Sequence, residues 1–175
     1  MMRFRPPGKA GLTPSLRGLL LVLIGLVVSA HGAEPSRIAI VIDDLGYRTD
    51  MDRAALALDA RIAVAVIPGA PGAHTVSLAA AGQGRDVLIH LPLPHSSGDC
   101  EALACPTQDW SVDRIYTYLK WAAMQVPGAV GLSNHQGSKF TADPLASGRL
   151  IQALLRFKTQ DERHLFLIDS RTSAH

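Results

Sequence analysis

The stretch from Ile38 to Asp44 constrains the fold of this chain more than any other. Five apolar residues, most of them β-branched, run directly into two adjacent aspartates. Such a run is typical of a strand buried on both faces, as in parallel sheets. Carboxylates at the carboxyl end of such a strand lie where barrels and open α/β sheets carry their active sites.

Neighbouring side chains on a strand point to opposite faces, so Asp43 and Asp44 are expected to have different roles. One division is a metal ligand and a proton acceptor. The alternative is that both residues cap a strand that turns into solvent before Gly46.

Apolar runs and helical segments alternate along the rest of the chain. Each run is short and is followed by turn residues or polar residues, as strands are. Segments with apolar residues at helical spacing separate the runs, and this alternation favours a parallel α/β fold with right-handed crossovers. The predicted strands are residues 37–42, 61–67, 86–90, 129–132 and 165–168.

The first 33 residues are predicted to be a signal peptide. Residues 1–18 carry four basic residues and no acidic residue, an apolar run covers Leu19–Val28, and small residues follow as far as Ala33. This order is typical of a secretory leader. The apolar run is about half the length of a membrane-spanning helix, so an uncleaved anchor is the alternative. We therefore expect export across the inner membrane to the periplasm, with residues 34–175 as the mature domain.

Charge excludes nucleic acid as a partner. The chain has 17 basic and 15 acidic residues, but the leader through Gly32 holds four of the basic residues and none of the acidic ones. The mature part therefore has 13 basic against 15 acidic residues. It has no basic patch and no motif for binding nucleic acid.

Cys100 and Cys105 are the only cysteines, and both lie in a stretch rich in Pro, Gly and Ser. Because an exported protein folds in an oxidising compartment, we expect them to form a disulfide. A zinc knuckle is not expected, because no second pair of Cys or His has ligand spacing nearby.

Ionisable residues end or closely follow four of the five predicted strands: Asp43 and Asp44, His90, His135 and Asp169. The carboxyl ends of parallel strands meet at one edge, so these side chains are expected to converge there.

Imidazoles and carboxylates together suit a divalent first-row metal, with zinc as the leading candidate. An open catalytic site would use Asp44, His90 and His135. The alternative for His90 is a packed core histidine, and His95 is an alternative ligand on the following loop.

Four segments resemble the divergent polysaccharide deacetylase family: Ile40–Tyr47, Val87–Pro92, Gly131–Ser138 and Phe166–Thr172. The family is a remote branch of the carbohydrate esterases. The resemblance implies a distorted (β/α) barrel of the NodB type. It also implies a hydrolase that removes acetyl groups from a polysaccharide of the cell envelope in a metal-dependent reaction. A non-catalytic exported module that binds glycans at the same barrel mouth is the alternative.

The resemblance also implies a role for each residue that matches a motif. Asp43 matches the catalytic base, Asp44 the metal-binding aspartate, and His90 and His135 the metal-binding histidines. Asp169 matches a strand-end acid that lines the site and is counted with the catalytic residues.

Three further residues are assigned to binding an acetylated polysaccharide or oligosaccharide: Asn134, Ser138 and Arg171. Arg171 is also expected to hold Asp43 ionised and oriented, and the alternative is a plain surface ion pair.

The family pattern continues beyond Arg171-Thr172, with further βα units and a late Gly-His-Pro motif, whereas this sequence ends at His175. We therefore expect a barrel truncated after about five βα units, and a domain incomplete at its C-terminus.

Overall fold

Five parallel strands, each paired with the next in chain order, form one sheet with order β1-β2-β3-β4-β5. The computed structural model describes residues 37–98, residue 100 and residues 105–172. The predicted signal peptide and His175 lie outside these residues. The strands are β1 (Val41–Leu45), β2 (Ala63–Val66), β3 (Val87–Leu93), β4 (Ala129–Gln136) and β5 (Phe166–Ile168).

Helices fill the connections between the strands. Crossovers between neighbouring parallel strands are almost always right-handed, which places successive helices on the same face of a sheet. The helices of successive connections contact one another in this chain, as that arrangement requires. A short helix, α4, precedes α5 in the connection from β4 to β5. The helices are α1 (Thr49–Leu56), α2 (Ala73–Gly82), α3 (Val112–Gln125), α4 (Ser138–Thr141) and α5 (Pro144–Arg156).

The central strand β3 is buried along its whole length. Its alternate residues, including Val87, Ile89 and Leu91, pack in the core that the sheet shares with the helices. Because side chains alternate on a strand, His90 points to the opposite face. The same alternation sends Leu132 of β4 into the core and Ser133 away from it.

The expected first strand is partly wrong. Residues 37–42 are predicted as a strand buried on both faces, but β1 covers Val41–Leu45 and is only half-buried. Ile38 and Ile40 are exposed. The physical reason is that β1 lies at an edge of the sheet, where β2 is its only described neighbour.

A parallel α/β architecture is confirmed. The expected barrel is not seen in the described part of the chain, because β1 and β5 do not pair and the sheet stays open. At the β5 edge, Phe166, Leu167 and Ile168 are all exposed.

The amino-terminal edge of the sheet is held by one buried arginine. The guanidinium of Arg85 donates hydrogen bonds to the backbone carbonyls of Asp59 (3.0 Å) and Leu58 (3.0 Å), and to those of Leu56 and Ile62. These four carbonyls end α1 and begin the connection to β2. Arg85, at the start of β3, therefore fixes the path between the first two strands.

The long loop after β3 lies beside the carboxyl-terminal edge. Cys100 and Cys105 form a disulfide within it, with their Cα atoms 6.3 Å apart. The Ser96 amide donates to the Ser138 hydroxyl (2.9 Å), which ties the loop to the start of α4. Among the described helices, none is both long and apolar enough to cross a membrane.

Candidate metal centre

The turn after β1 brings two carboxylates to the edge of the sheet. Asp44 has a left-handed backbone conformation, with φ of 65°. The pairing of β1 with β2 shifts between Ile42 and Leu45. Regular alternation is therefore interrupted where Asp43 and Asp44 lie, and both side chains are exposed.

Three hydrogen bonds, one of them to a side chain, hold this turn. The Gly46 amide donates to Oδ1 of Asp52 (2.9 Å), and the Gly46 carbonyl accepts from the Gly72 amide (2.8 Å). The Leu45 carbonyl accepts from the Ile67 amide (3.0 Å). Asp52 is 5% exposed, so its carboxylate satisfies a buried amide that the turn would otherwise leave unpaired.

His90 reaches the same edge from the central strand. Its Nε2 lies 3.2 Å from Oδ1 of Asp44, and its Nδ1 lies 2.8 Å from the hydroxyl oxygen of Ser133. His90 is 4% exposed. Burial lowers the pKa of its imidazole below the usual range, while the nearby carboxylates of Asp43 and Asp44 act against that shift. The neutral ring that results is the form that binds metals.

His135, near the end of β4, supplies the second imidazole. Its Nδ1 lies 2.8 Å from the same Oδ1 of Asp44. The rings of His90 and His135 meet edge to face, with centroids 5.0 Å apart and planes at 74°. Two nitrogens and one oxygen thus converge, with all three ligand atoms within 4.8 Å of one another.

These three residues fit a divalent metal ion. Ligand atoms about 2.0–2.1 Å from a tetrahedral zinc lie about 3.3 Å apart, close to the distances that separate Asp44 Oδ1 from the two rings. Two neutral imidazoles and one carboxylate form a donor set that zinc uses in catalytic sites, where a fourth position stays open. Asp44 is 64% exposed and His135 is 29% exposed, so water reaches this side of the group.

His95 is not part of this group in the described part of the chain. Its Nδ1 lies 2.8 Å from the hydroxyl of Ser97 on its own loop.

Asn134 is placed differently from the other residues assigned to substrate. It is buried, and its amide donates to the Gln136 carbonyl (2.7 Å) and accepts from the Ser170 amide (2.8 Å). Ser170 also donates its hydroxyl to the Asn134 carbonyl (3.0 Å). These contacts fasten the end of β5 to the end of β4, and substrate contact by Asn134 stays a prediction.

The fastened segment carries Asp169 and Arg171, both exposed. The Asp169 carboxylate accepts the Arg171 backbone amide (2.9 Å), which forms a tight local turn. Among the described residues, no ion pair joins Arg171 to Asp43, so the expected pairing of these two is not seen. Ser138 is half-buried and accepts the Ser96 amide.

Sequence reasoning missed two residues that support the group. Asp52 holds the turn after β1, and Ser133 contacts His90. His90 lies opposite Ser133 in the pairing of β3 with β4. Finding Ser133 from the sequence would have required that register.

The fold and the site together define a parallel α/β protein with a candidate metal centre, built from two histidines and one aspartate at the carboxyl-terminal edge of its sheet. The family model described as divergent polysaccharide deacetylase matches residues 40–175, and the chain belongs to this family. The resemblance that rests on the four sequence motifs is thereby confirmed.

Two curated relatives support the family assignment. The chain is 39% identical over 143 residues to an uncharacterized protein of Haemophilus influenzae, covering 78% of this chain and 47% of that protein. It is 34% identical over 153 residues to the uncharacterized protein YibQ of Escherichia coli, covering 87% of this chain and 46% of that one. The chain therefore spans about half the length of these relatives.

A solved structure supports the fold. The uncharacterized protein ATU2773 of Agrobacterium tumefaciens superposes with a TM-score of 0.67 at 19% identity. The match covers 82% of this chain and 57% of that chain. At this identity the similarity concerns the fold alone.

Proposed function

We propose that this protein is a metal-dependent hydrolase that removes acetyl groups from a polysaccharide of the cell envelope. The observation that carries the proposal is the convergence of both ring nitrogens, from His90 and His135, on one oxygen of Asp44, at 3.2 and 2.8 Å. Membership of the divergent polysaccharide deacetylase family supports the choice of substrate. The proposal includes zinc as the metal, completion of a NodB-type barrel, a cleaved signal peptide and a periplasmic location.

The chemistry divides between the metal and the protein. Asp44, His90 and His135 would hold a divalent ion, which would act as a Lewis acid that lowers the pKa of water and polarises an acyl carbonyl. Asp43 accepts the proton that water loses as its oxygen bonds to the acetyl carbon. The bond from that carbon to the sugar nitrogen or oxygen then breaks, the departing sugar atom takes up a proton, and acetate is released. Asp43 is exposed, and it lies near enough to His90 to oppose the lowering of the His90 pKa.

The sugar approaches from the open side of the centre. We propose that two residues contact the sugar: Ser138, at the start of the helix after β4, and Arg171, in the turn after β5. Asp169 lines the same edge. The buried amide of Asn134 contributes by holding the end of β5 in place.

Two substitutions separate metal binding from proton transfer. Asp44→Ala removes the oxygen ligand, and we expect the full-length protein to lose metal affinity by at least about 100-fold. Loss of a residue that only hydrogen-bonds to a ligand already lowers metal affinity about 10–100-fold. Asp43→Asn removes the proton acceptor, and we expect kcat to fall about 10²–10⁴-fold with metal affinity unchanged. Asp86→Asn is the control, because it also removes one negative charge, but at the amino-terminal edge of the sheet.

The measurements are metal content after dialysis, and acetate release from acetylated chitooligosaccharides. Retention of zinc, nickel or cobalt by the wild type but not by Asp44→Ala is the expected result. A wild type that holds none of these metals would contradict the proposed metal centre. Oligosaccharide binding without acetate release, in the metal-loaded wild type, would instead identify a non-catalytic glycan-binding module.

A further inference from the structure

Ser133 is the one described side chain that contacts the far nitrogen of the His90 ring. The two residues face each other across the pairing of β3 with β4. The oxygen of Ser133 lies 2.8 Å from Nδ1 of His90, and the residues are 3% and 4% exposed. Water therefore cannot easily replace this contact, and the ring nitrogen depends on the serine hydroxyl.

The other nitrogen of His90 faces the candidate metal centre. A neutral imidazole carries its proton on one nitrogen only. Without metal, a proton on Nε2 donates to Asp44, so Nδ1 must accept a hydrogen bond. If a metal occupied Nε2, the single ring proton would have to lie on Nδ1, which would then donate a hydrogen bond. The partner of Nδ1 must therefore be able both to donate and to accept a hydrogen bond.

A hydroxyl meets this requirement, because it is both a donor and an acceptor. The more usual partners of metal-binding histidines, carboxylates and backbone carbonyls, can only accept, so they suit the metal-bound tautomer alone. Ser133 therefore leaves no buried polar atom of His90 unpaired in either state.

His135 approaches the centre differently. Its Nδ1, not its Nε2, lies nearest to Asp44, at 2.8 Å. The two histidines thus present different ring nitrogens to the same carboxylate oxygen.

We propose that Ser133 is a positioning residue that holds the His90 ring in both tautomers, so that His90 binds metal through Nε2 while His135 binds it through Nδ1. This inference rests on the proposed metal centre and goes beyond it. It names the coordinating nitrogen of each histidine, and it gives a role to Ser133, which is not itself a metal ligand. Loss of an outer contact of this kind typically lowers metal affinity about 10–100-fold.

The test compares four full-length proteins: the wild type, Ser133→Ala, Ser133→Thr and Ser77→Ala. Ser77 is the matched control, because it is fully buried and its hydroxyl donates to the Ala73 carbonyl within α2. Zinc and cobalt dissociation constants are measured by competition with a chromophoric chelator. We expect Ser133→Ala to bind both metals about 10–100-fold more weakly than the wild type. Ser133→Thr, which restores the hydroxyl, and Ser77→Ala are expected to stay within about threefold.

Equal affinity of Ser133→Ala and Ser77→Ala for metal would overturn the role of Ser133 while leaving the metal centre intact. A wild type that binds neither metal would overturn the metal centre and this inference together.

A second measurement uses only the wild type and so does not depend on the folding of a variant. Long-range ¹H–¹⁵N correlation spectra identify which ring nitrogen carries the proton. In the zinc-loaded protein, we expect the proton of His90 on Nδ1 and that of His135 on Nε2. A zinc-loaded His90 with its proton on Nε2 would overturn the assignment.

Discussion

Asp44 has a backbone conformation that few residues other than glycine adopt, and its carboxylate is the common partner of both histidines. Gln136, next to His135, and Arg171, after β5, also have positive φ, of 57° and 49°. Among the described residues other than glycine, only Glu162 shares this feature. Backbone strain therefore concentrates at the carboxyl-terminal edge, where it is held by the surrounding structure and where strained residues often have functional roles.

The turn that carries Asp44 requires a glycine at position 46. Gly46 has φ of 115°, and a Cβ there would lie 2.8 Å from the Cβ of Ala70. We expect Gly46→Ala to lower the free energy of unfolding by about 2–4 kcal/mol, from backbone strain and crowding together. Urea denaturation measures the change.

Gly148 is the matched control for this substitution. It lies inside α5, and a Cβ there would meet no atom within 4 Å. Gly148→Ala is expected to raise the free energy of unfolding by about 0.5–1 kcal/mol, because alanine has a higher helix propensity than glycine. An unchanged or raised stability of Gly46→Ala would contradict the role given to this turn.

At the scale of single residues, the sequence predicts the members of the candidate metal centre better than the residues that support them. Asp44, His90 and His135 are predictable because each follows or ends an apolar run, and parallel strands share one edge. Asp52 and Ser133 are not predictable in this way. Their partners depend on the geometry of a turn and on the register between two strands, and the local periodicity of the sequence predicts neither.

At the scale of elements, Arg85 joins the end of α1, the path into β2 and the start of β3. Its guanidinium is buried, and it satisfies four backbone carbonyls and the side chain of Gln83. Removing it leaves several acceptors without a donor, and each buried acceptor left unpaired costs about 1–3 kcal/mol.

Arg85→Met is therefore expected to lower the free energy of unfolding by about 2–4 kcal/mol, less than the full sum because water reaches some of the carbonyls. Arg61→Met is the control. Arg61 is exposed and, among the described residues, pairs with Asp59 at 2.8 Å, so its loss should leave the free energy of unfolding nearly unchanged. Similar chemical-denaturation midpoints for the two variants would contradict the structural role of Arg85.

The order and type of the elements follow from alternating apolar runs and helical segments, but their boundaries do not. The first strand begins at Val41 and not at residue 37. A β-branched run predicts extended backbone, yet it does not tell whether a neighbour exists on both sides. Edge position is a property of the sheet, and that is why Ile38 and Ile40 are exposed against expectation.

At the scale of the whole molecule, the buried His90 links stability to pH. Burial lowers its pKa below the usual 6.5, so on acidification the unfolded chain takes up this proton before the folded one. We expect the metal-free protein to lose stability as the pH falls below about 6.5, by at most about 1.4 kcal/mol per pH unit from this group. The stabilisation is fully present above that pH.

Urea denaturation in a chelator, at pH 7.5 and 5.5, measures this loss. His90→Gln has no imidazole to protonate at that position, so its stability is expected to fall less between the two pH values. The same decrease in both proteins would show that another group dominates the acid sensitivity.

The three candidate ligands come from β1, β3 and β4, and β2 contributes none. Asp44 and His135 are 91 positions apart in the chain, and an ion between them would span the end of β2. Such an ion acts as a reversible cross-link over a strand it does not touch. The edge strand β1, held along one side only by β2, would then be fastened to the centre of the sheet. A metal-loaded sheet could no longer fray from its β1 edge without first giving up the ion.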